Sequence, residues 1–271
     1  AGPTHFLLAG PDMPDVNDQL ERRHILLNEM TATAGSVFLG LQLGCAQCHD
    51  HKYDPLSQAD FYRLRAVFES AVPPLKNDQP IAYLAEQKKP GTSRLWIRGD
   101  HRRPGGAVTP DFPRIATTPV ATGKPVAEER KEAPRARFAA WLFRPENPLT
   151  ARVMVNRVWQ HHFGRGIFAT ASDVGVINEG PTHSELLDYL AAEFRDRGWS
   201  LKEVHRSIVT SATYRQASRA GDVDTSSPKE ATGAWQSRLQ RDAENRFYSR
   251  FPRRRLDGES LRDAILATSG L

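Results

Sequence analysis

The amino-acid sequence predicts a mainly α protein in two helical parts, joined by a linker that holds a few short strands. Three observations carry that prediction. Apolar residues recur at helical intervals on both sides of the linker, Ser/Thr-x-x-Glu strings mark helix starts in the second part, and twelve of the 45 residues from Pro90 to Pro134 are Pro or Gly. The divisions expected are 1–75, 76–134 and 135–271. A chain of 271 residues is long enough to bury a core without metal or disulfide staples.

From Asp15 to Leu43, the residues Leu20, Ile25, Leu26, Leu27, Met30, Val37, Phe38, Leu39, Leu41 and Leu43 follow mostly helical spacing, with Gly35 and Gly40 as points where the helix bends. Ser57 and Asp60 form a capping-box-like start to a second helix. Phe61, Leu64, Arg65 and Phe68 trace one of its faces to about Ser70, and Pro73-Pro74 ends it. In the linker, Arg94-Leu95-Trp96-Ile97-Arg98 is the strand candidate. The second part reads as helices over Arg135 to Phe143, Thr150 to Phe163 closed by Gly164, Thr182 to Arg197 closed by Gly198, and Ser200 to about Tyr214. Thr182/Glu185 and Ser200/Glu203 fit the box in which a hydroxyl and a carboxylate satisfy orphan amides of the first turn. After a polar stretch from Ala217 to Gly233, Asp257 opens a last helix with Leu261, Ile265 and Leu266.

A mean hydropathy of −0.54 and 25% charged residues describe a water-soluble chain. It has no run of about 18 apolar residues that would span a bilayer. The net charge of +5 is uneven: residues 91–137 hold ten Lys/Arg against five Asp/Glu, and residues 245–262 hold six against two, leaving −4 for the remainder. Arg250, Arg253, Arg254 and Arg255 are the densest cluster, suited to a solvated face or to an acidic polysaccharide. The chain opens Ala1-Gly2-Pro3 without a basic-then-apolar leader and reads as a piece of a longer polypeptide.

The two cysteines of the chain fall in the string Cys45-Ala46-Gln47-Cys48-His49, the C-x-x-C-H arrangement of c-type haem attachment. Two thiols three residues apart form thioethers to the vinyl groups on one porphyrin edge, and the following imidazole binds the iron from one face. On this reading Cys45 and Cys48 hold haem c and His49 is the axial ligand. His51, two places on, cannot cross the ring to the other face. Together with Asp54 it is assigned to hydrogen bonding around the ligand or to an alternative metal site. The sixth ligand is open to solvent or comes from His24, Met30 or a histidine of the later helices.

The rival readings use the same residues. Zinc or another divalent metal would draw on Cys45, Cys48 and His51 or Asp54, though no second Cys/His pair at metal spacing is present. A dithiol redox pair would want a βαβ context, which does not precede Cys45. Two packed cysteines are the plain alternative. His161 and His162 beside Trp159 and Phe163 read more readily as packed or surface histidines than as ligands, and His183 as decoration of a helix terminus. The helices around Gly198, with Lys202, His205 and Arg206 on the second, read as an αα-hairpin before a DNA reader, so nucleic acid is not the expected partner. No Walker loop, G-x-S-x-G or H-E-x-x-H occurs.

Phe38-Leu39-Gly40-Leu41-Gln42-Leu43-Gly44-Cys45-Ala46-Gln47-Cys48-His49-Asp50-His51-Lys52-Tyr53-Asp54-Pro55 resembles the signature of the planctomycete cytochrome C-like domain. Asn147-Pro148-Leu149-Thr150-Ala151-Arg152-Val153-Met154-Val155-Asn156-Arg157-Val158-Trp159-Gln160-His161-His162-Phe163-Gly164 resembles the companion domain of unknown function that follows it in large secreted proteins. Pro181 to Leu190, Ser211 to Gln216 and Arg253-Arg254-Arg255-Leu256 extend that likeness. The resemblance implies haem attachment at Cys45, Cys48 and His49 and an exported protein; the haem reading itself points to the periplasm or cell surface and to electron transfer with an unidentified redox partner. A metal-dependent hydrolase or glycan-binding module of the cell surface is the alternative.

Overall fold

The computed structural model describes residues 15–72, 84–116, 133–218 and 228–270. The stop expected at Pro73-Pro74, the first fourteen residues and much of the predicted linker lie outside the described residues. Helix α1 (Gln19–Ala34) starts at Asp18, whose carboxylate accepts from the Leu20 amide, and it loosens into a π turn over Gly35–Leu39 that stops at Gly40. A 3₁₀ turn over Leu43–Gln47 follows, and then α2 (Gln58–Val67). At the start of α2 the Ser57/Asp60 box forms in full: the Ser57 hydroxyl accepts from the Asp60 amide and the Asp60 carboxylate accepts from the Ser57 amide. The predicted strand is shorter than expected. Arg94–Trp96 (β3) pairs antiparallel with Pro104–Ala107 (β4), and Ile97–Gly99 curls into a 3₁₀ turn; Ala71–Val72 (β1) and Ala85–Glu86 (β2) form the other small antiparallel pair.

The later helices are α3 (Pro134–Leu142), α4 (Thr150–Phe163), α5 (Ser184–Asp196), α6 (Leu201–Val209), α7 (Pro228–Arg241) and α8 (Gly258–Ser269). The protein is mainly α. The Thr182/Glu185 box does not form, because the Thr182 amide and hydroxyl both bond the Ile167 carbonyl and α5 begins one residue past His183. Ser200 does cap α6 through the Glu203 amide, but the Glu203 carboxylate turns to Arg197 and Arg206 instead of reaching back. Among the described residues no helix is long and apolar enough to cross a membrane.

Two apolar clusters form. The first joins α1, the π and 3₁₀ turns and α2 through Leu27, Met30, Leu39, Leu43, Phe61, Leu64 and Phe68. Phe138, Trp141 and Leu142 of α3 belong to it as well, and Phe112 stacks on Trp141 at 4.6 Å and 18°. Parts of the stretch predicted as linker therefore pack on the first core, through Leu84, Leu95, Trp96, Val108 and Phe112. The second cluster joins α4, α5 and α6 through Val155, Trp159, Phe163, Leu190, Phe194 and Ile208.

Helix α4 belongs to the second cluster and also lies against the π turn that precedes the cysteine motif. Ala151, Val155, Val158 and Trp159 face α5 and α6, while Val153 touches the Gly40 backbone and the Arg157 guanidinium donates to the Ser36 and Val37 carbonyls. A cavity of about 720 Å³ lies where the clusters approach, lined by Phe38, Phe138, Met154, Phe194 and Trp199 among others, and residues 45–49 do not line it.

Candidate functional site

The C-x-x-C-H string sits on the 3₁₀ turn, with Cys48 closing it, so the motif occupies a tight turn in front of α2. Burying Leu43 and Ala46 in the first core turns the residues between them outward. Cys45 and Cys48 are both exposed, free thiols, and His49 is exposed beside them. The His49 Nδ1 lies 2.6 Å from the Asp50 carbonyl oxygen. A carbonyl only accepts, so Nδ1 carries the proton and the lone pair stays on Nε2. This is the tautomer that an imidazole ligating through Nε2 needs, with its second nitrogen oriented by a backbone acceptor.

The turn is held from beneath through Gln47. Its carbonyl accepts from the Gln58 side chain at 2.8 Å and from the Tyr62 hydroxyl at 3.0 Å, and its side-chain oxygen accepts from Asn28 Nδ2 at 3.1 Å. Burial raises the Tyr62 hydroxyl's pKa, which keeps it a donor. Asn28 is fixed in turn by Arg65, whose Nε donates to Asn28 Oδ1 at 2.9 Å while its Nη1 pairs with Glu69. None of Asn28, Gln58 or Tyr62 announces itself in the sequence, since each lies 11 to 19 residues from Gln47 and is brought to it by helix packing.

The β3–β4 hairpin supplies the neighbouring wall. Gly99 has φ +73°, and a Cβ there would stand 2.8 Å from Cys48 Sγ, so only glycine allows this approach. Gln58 Nε2 also donates to the Trp96 carbonyl, tying the hairpin to the start of α2. The His24 Nε2 lies 3.0 Å from the Gly99 carbonyl oxygen and 2.9 Å from Asn28 Nδ2, which ties the ring both to the hairpin and to the side chain that holds Gln47. His24 Nδ1 is buried and finds no hydrogen-bond partner among the described residues. Burial, with Arg65 adding to it, lowers the His24 pKa to about 4. His24 and Met30, named as sources of a sixth ligand, are both buried in the packing of α1, His24 with its Nε2 held between the Gly99 carbonyl and Asn28 Nδ2.

His51 and Asp54 spend their polar atoms within the protein. The His51 Nδ1 accepts from the Asp54 amide at 2.8 Å and from the Tyr53 amide at 3.3 Å, so its lone pair is consumed and Nε2 carries the proton. The Asp54 carboxylate, buried, accepts from the Val176 amide at 2.7 Å, and a Cβ on Gly175 would fall 2.5 Å from Asp54 Oδ2. The two residues brace the loop and join it to the second part of the chain; they do not complete a ligand set. Among the described residues, Asp18, Glu21 and His101 bring three ligand-type atoms within 4.8 Å of one another, whereas the cysteines with His49 and His51 do not. That counts against a preformed zinc site on the cysteines.

The weaker candidates also find places. His161 is exposed and its carbonyl accepts from Arg254; His162 meets His205 across α4 and α6; the His183 Nδ1 lies 3.0 Å from the Thr182 hydroxyl. Arg206 pairs with Glu203 on its own helix. Arg250 bonds the Asp242 and Ala243 carbonyls, and Arg254 the His161 carbonyl, which takes two of the four clustered arginines into internal contacts.

Comparison with known families gives two matches. A family described as PSD1, protein of unknown function (DUF1553), matches residues 134–271, and one described as PSCyt2, protein of unknown function (DUF1549), matches residues 2–72. No curated protein and no solved structure matches.

Proposed function

We propose, for a chain that belongs to the PSD1 family of unknown function (DUF1553), that the segment matched by PSCyt2 carries a covalently attached c-type haem and moves electrons through it. One observation carries the reading: two free, exposed thiols and an imidazole whose Nε2 lone pair is left available stand together on one braced turn. Cys45 and Cys48 would hold the porphyrin edge by thioether bonds, and His49 would ligate the iron through Nε2. The haem, when bound, supplies one-electron redox chemistry. The protein's own contribution is to hold the motif backbone through Gln58, Tyr62 and Asn28 and to fix the His49 tautomer through the Asp50 carbonyl. The cytochrome-like name of the matched family supports the reading at a coarser level.

The proposal includes an exported location, periplasmic or at the cell surface, because thioether attachment is made in that setting. The test is expression with a cytochrome-maturation system, followed by a pyridine haemochrome spectrum of the denatured, acid-acetone-washed chain. Covalent haem in the wild type and its loss in a Cys45→Ser/Cys48→Ser chain are expected. No covalent haem, or haem kept by the double variant, overturns the reading.

A further inference from the structure

We propose that His162 and His205 form a two-imidazole binding site for a divalent transition-metal ion of the Cu²⁺ type, separate from the cysteine turn. His162 Nε2 and His205 Nδ1 stand 2.7 Å apart, with ring centroids 5.0 Å apart and planes at 68°. At that distance one nitrogen donates and the other accepts, so a single proton lies between the rings. Two nitrogens bound to one ion at bond lengths of about 2.0 Å and a right angle lie about 2.8 Å apart, so the nitrogen separation hardly changes when an ion replaces the proton, while the rings turn until both lone pairs point at it.

The packing holds this geometry. His162 is in the last turn of α4 and His205 in the middle of α6, two helices fixed against each other by Trp159, Phe163, Val204 and Ile208. Tyr214 stands edge-on to the His162 ring at 5.5 Å and 83°. The carbonyls ending α4 present partial negative charge, which already draws the Arg254 guanidinium to the Gln160 and His161 oxygens. His205 is exposed, which leaves the remaining ligand positions to water.

Burial, with His205 and His161 adding to it, lowers the His162 pKa, so the ring is neutral and its lone pair is available near neutral pH. When the ion enters, the proton between the rings leaves to water and the far nitrogen of the donor ring takes one up, so neutral imidazoles release no net proton. Imidazole nitrogens suit Cu²⁺, which stands at the top of the divalent affinity order.

The test titrates Cu²⁺ into the full Cys45→Ser/Cys48→Ser chain, which removes competing thiols, with affinity read by calorimetry and ligation by electron paramagnetic resonance. One tightly bound Cu²⁺ with splitting from two nitrogens is expected, and His162→Gln and His205→Gln are each expected to weaken it about tenfold or more. His205→Gln alters an exposed side chain and decides the matter if His162→Gln fails to fold. A smaller loss in His205→Gln, no binding below about 0.1 mM Cu²⁺, or loss caused instead by His101→Gln, which assigns the ion to Asp18, Glu21 and His101, overturns the proposal.

Discussion

The cysteine turn and the loop that follows it are neighbours in the chain, yet they use their polar atoms in opposite ways. In residues 45–49 the sulfurs and the imidazole face solvent, while the backbone is held from beneath by side chains of α1 and α2. In residues 50–56 two polar side chains turn inward: His51 accepts from two amides of its own loop, and Asp54 accepts from an amide 122 residues away. His49 and His51 are two positions apart in one dense string, and only one keeps a lone pair for a ligand. What separates a ligand from a brace is which atoms consume the lone pair, and that depends on loop geometry.

The sharpest way to break the comparison is to remove the brace. Asp54→Ala leaves the Val176 amide without its acceptor and opens space against Gly175, so it is expected to cost about 3 kcal/mol in chemical denaturation. Asp54→Asn keeps an acceptor oxygen and is expected to recover most of that loss. An Asp54→Ala chain as stable as wild type would return Asp54 to the pool of free ligands.

Much of this architecture was legible in the sequence, and the places where it was not share a cause. The Gly164 stop and the Ser57/Asp60 box depend on contacts within a few residues, and both appear as read. The Thr182 box failed because a carbonyl fifteen residues upstream competes for the same hydroxyl, something no local pattern displays. Residues 76–134 read as linker from their Pro and Gly content, but within them Trp96, Val108 and Phe112 pack on the first core, and Gly99 walls the cysteine turn. The motif itself was plain in the sequence, while its supports, Asn28, Gln58 and Tyr62, follow from how α1 and α2 pack.

His24 sharpens the comparison from a third side, as a buried, neutral imidazole whose Nε2 is held between the Gly99 carbonyl and the Asn28 side-chain amide. Its folded pKa of about 4 lies below the ordinary 6.5, so between those values the unfolded chain binds the proton and the folded chain does not. The contribution is fully present above pH 6.5 and is lost as pH falls toward 4. Between pH 6.5 and 5 the wild type is expected to lose on the order of 2 kcal/mol more than His24→Gln, whose amide still donates toward Gly99. Denaturation midpoints that fall in parallel for the two chains would mean that His24 carries its proton in the folded state.

The smallest effect compares the two histidines directly. His51→Ala removes the acceptor for the Asp54 and Tyr53 amides in a partly buried loop and is expected to cost about 1 kcal/mol. His49→Ala removes one exposed contact to the Asp50 carbonyl and is expected to change stability by less than about 0.5 kcal/mol. The spectroscopic order is the reverse. In haem-loaded protein His49→Ala is expected to alter the axial-ligand signature while the thioethers remain, and His51→Ala is expected to leave it intact. If His51→Ala changes the iron spectrum and His49→Ala does not, the ligand and the brace have been exchanged, and the lone-pair argument fails at the one place where the sequence offered both residues equally.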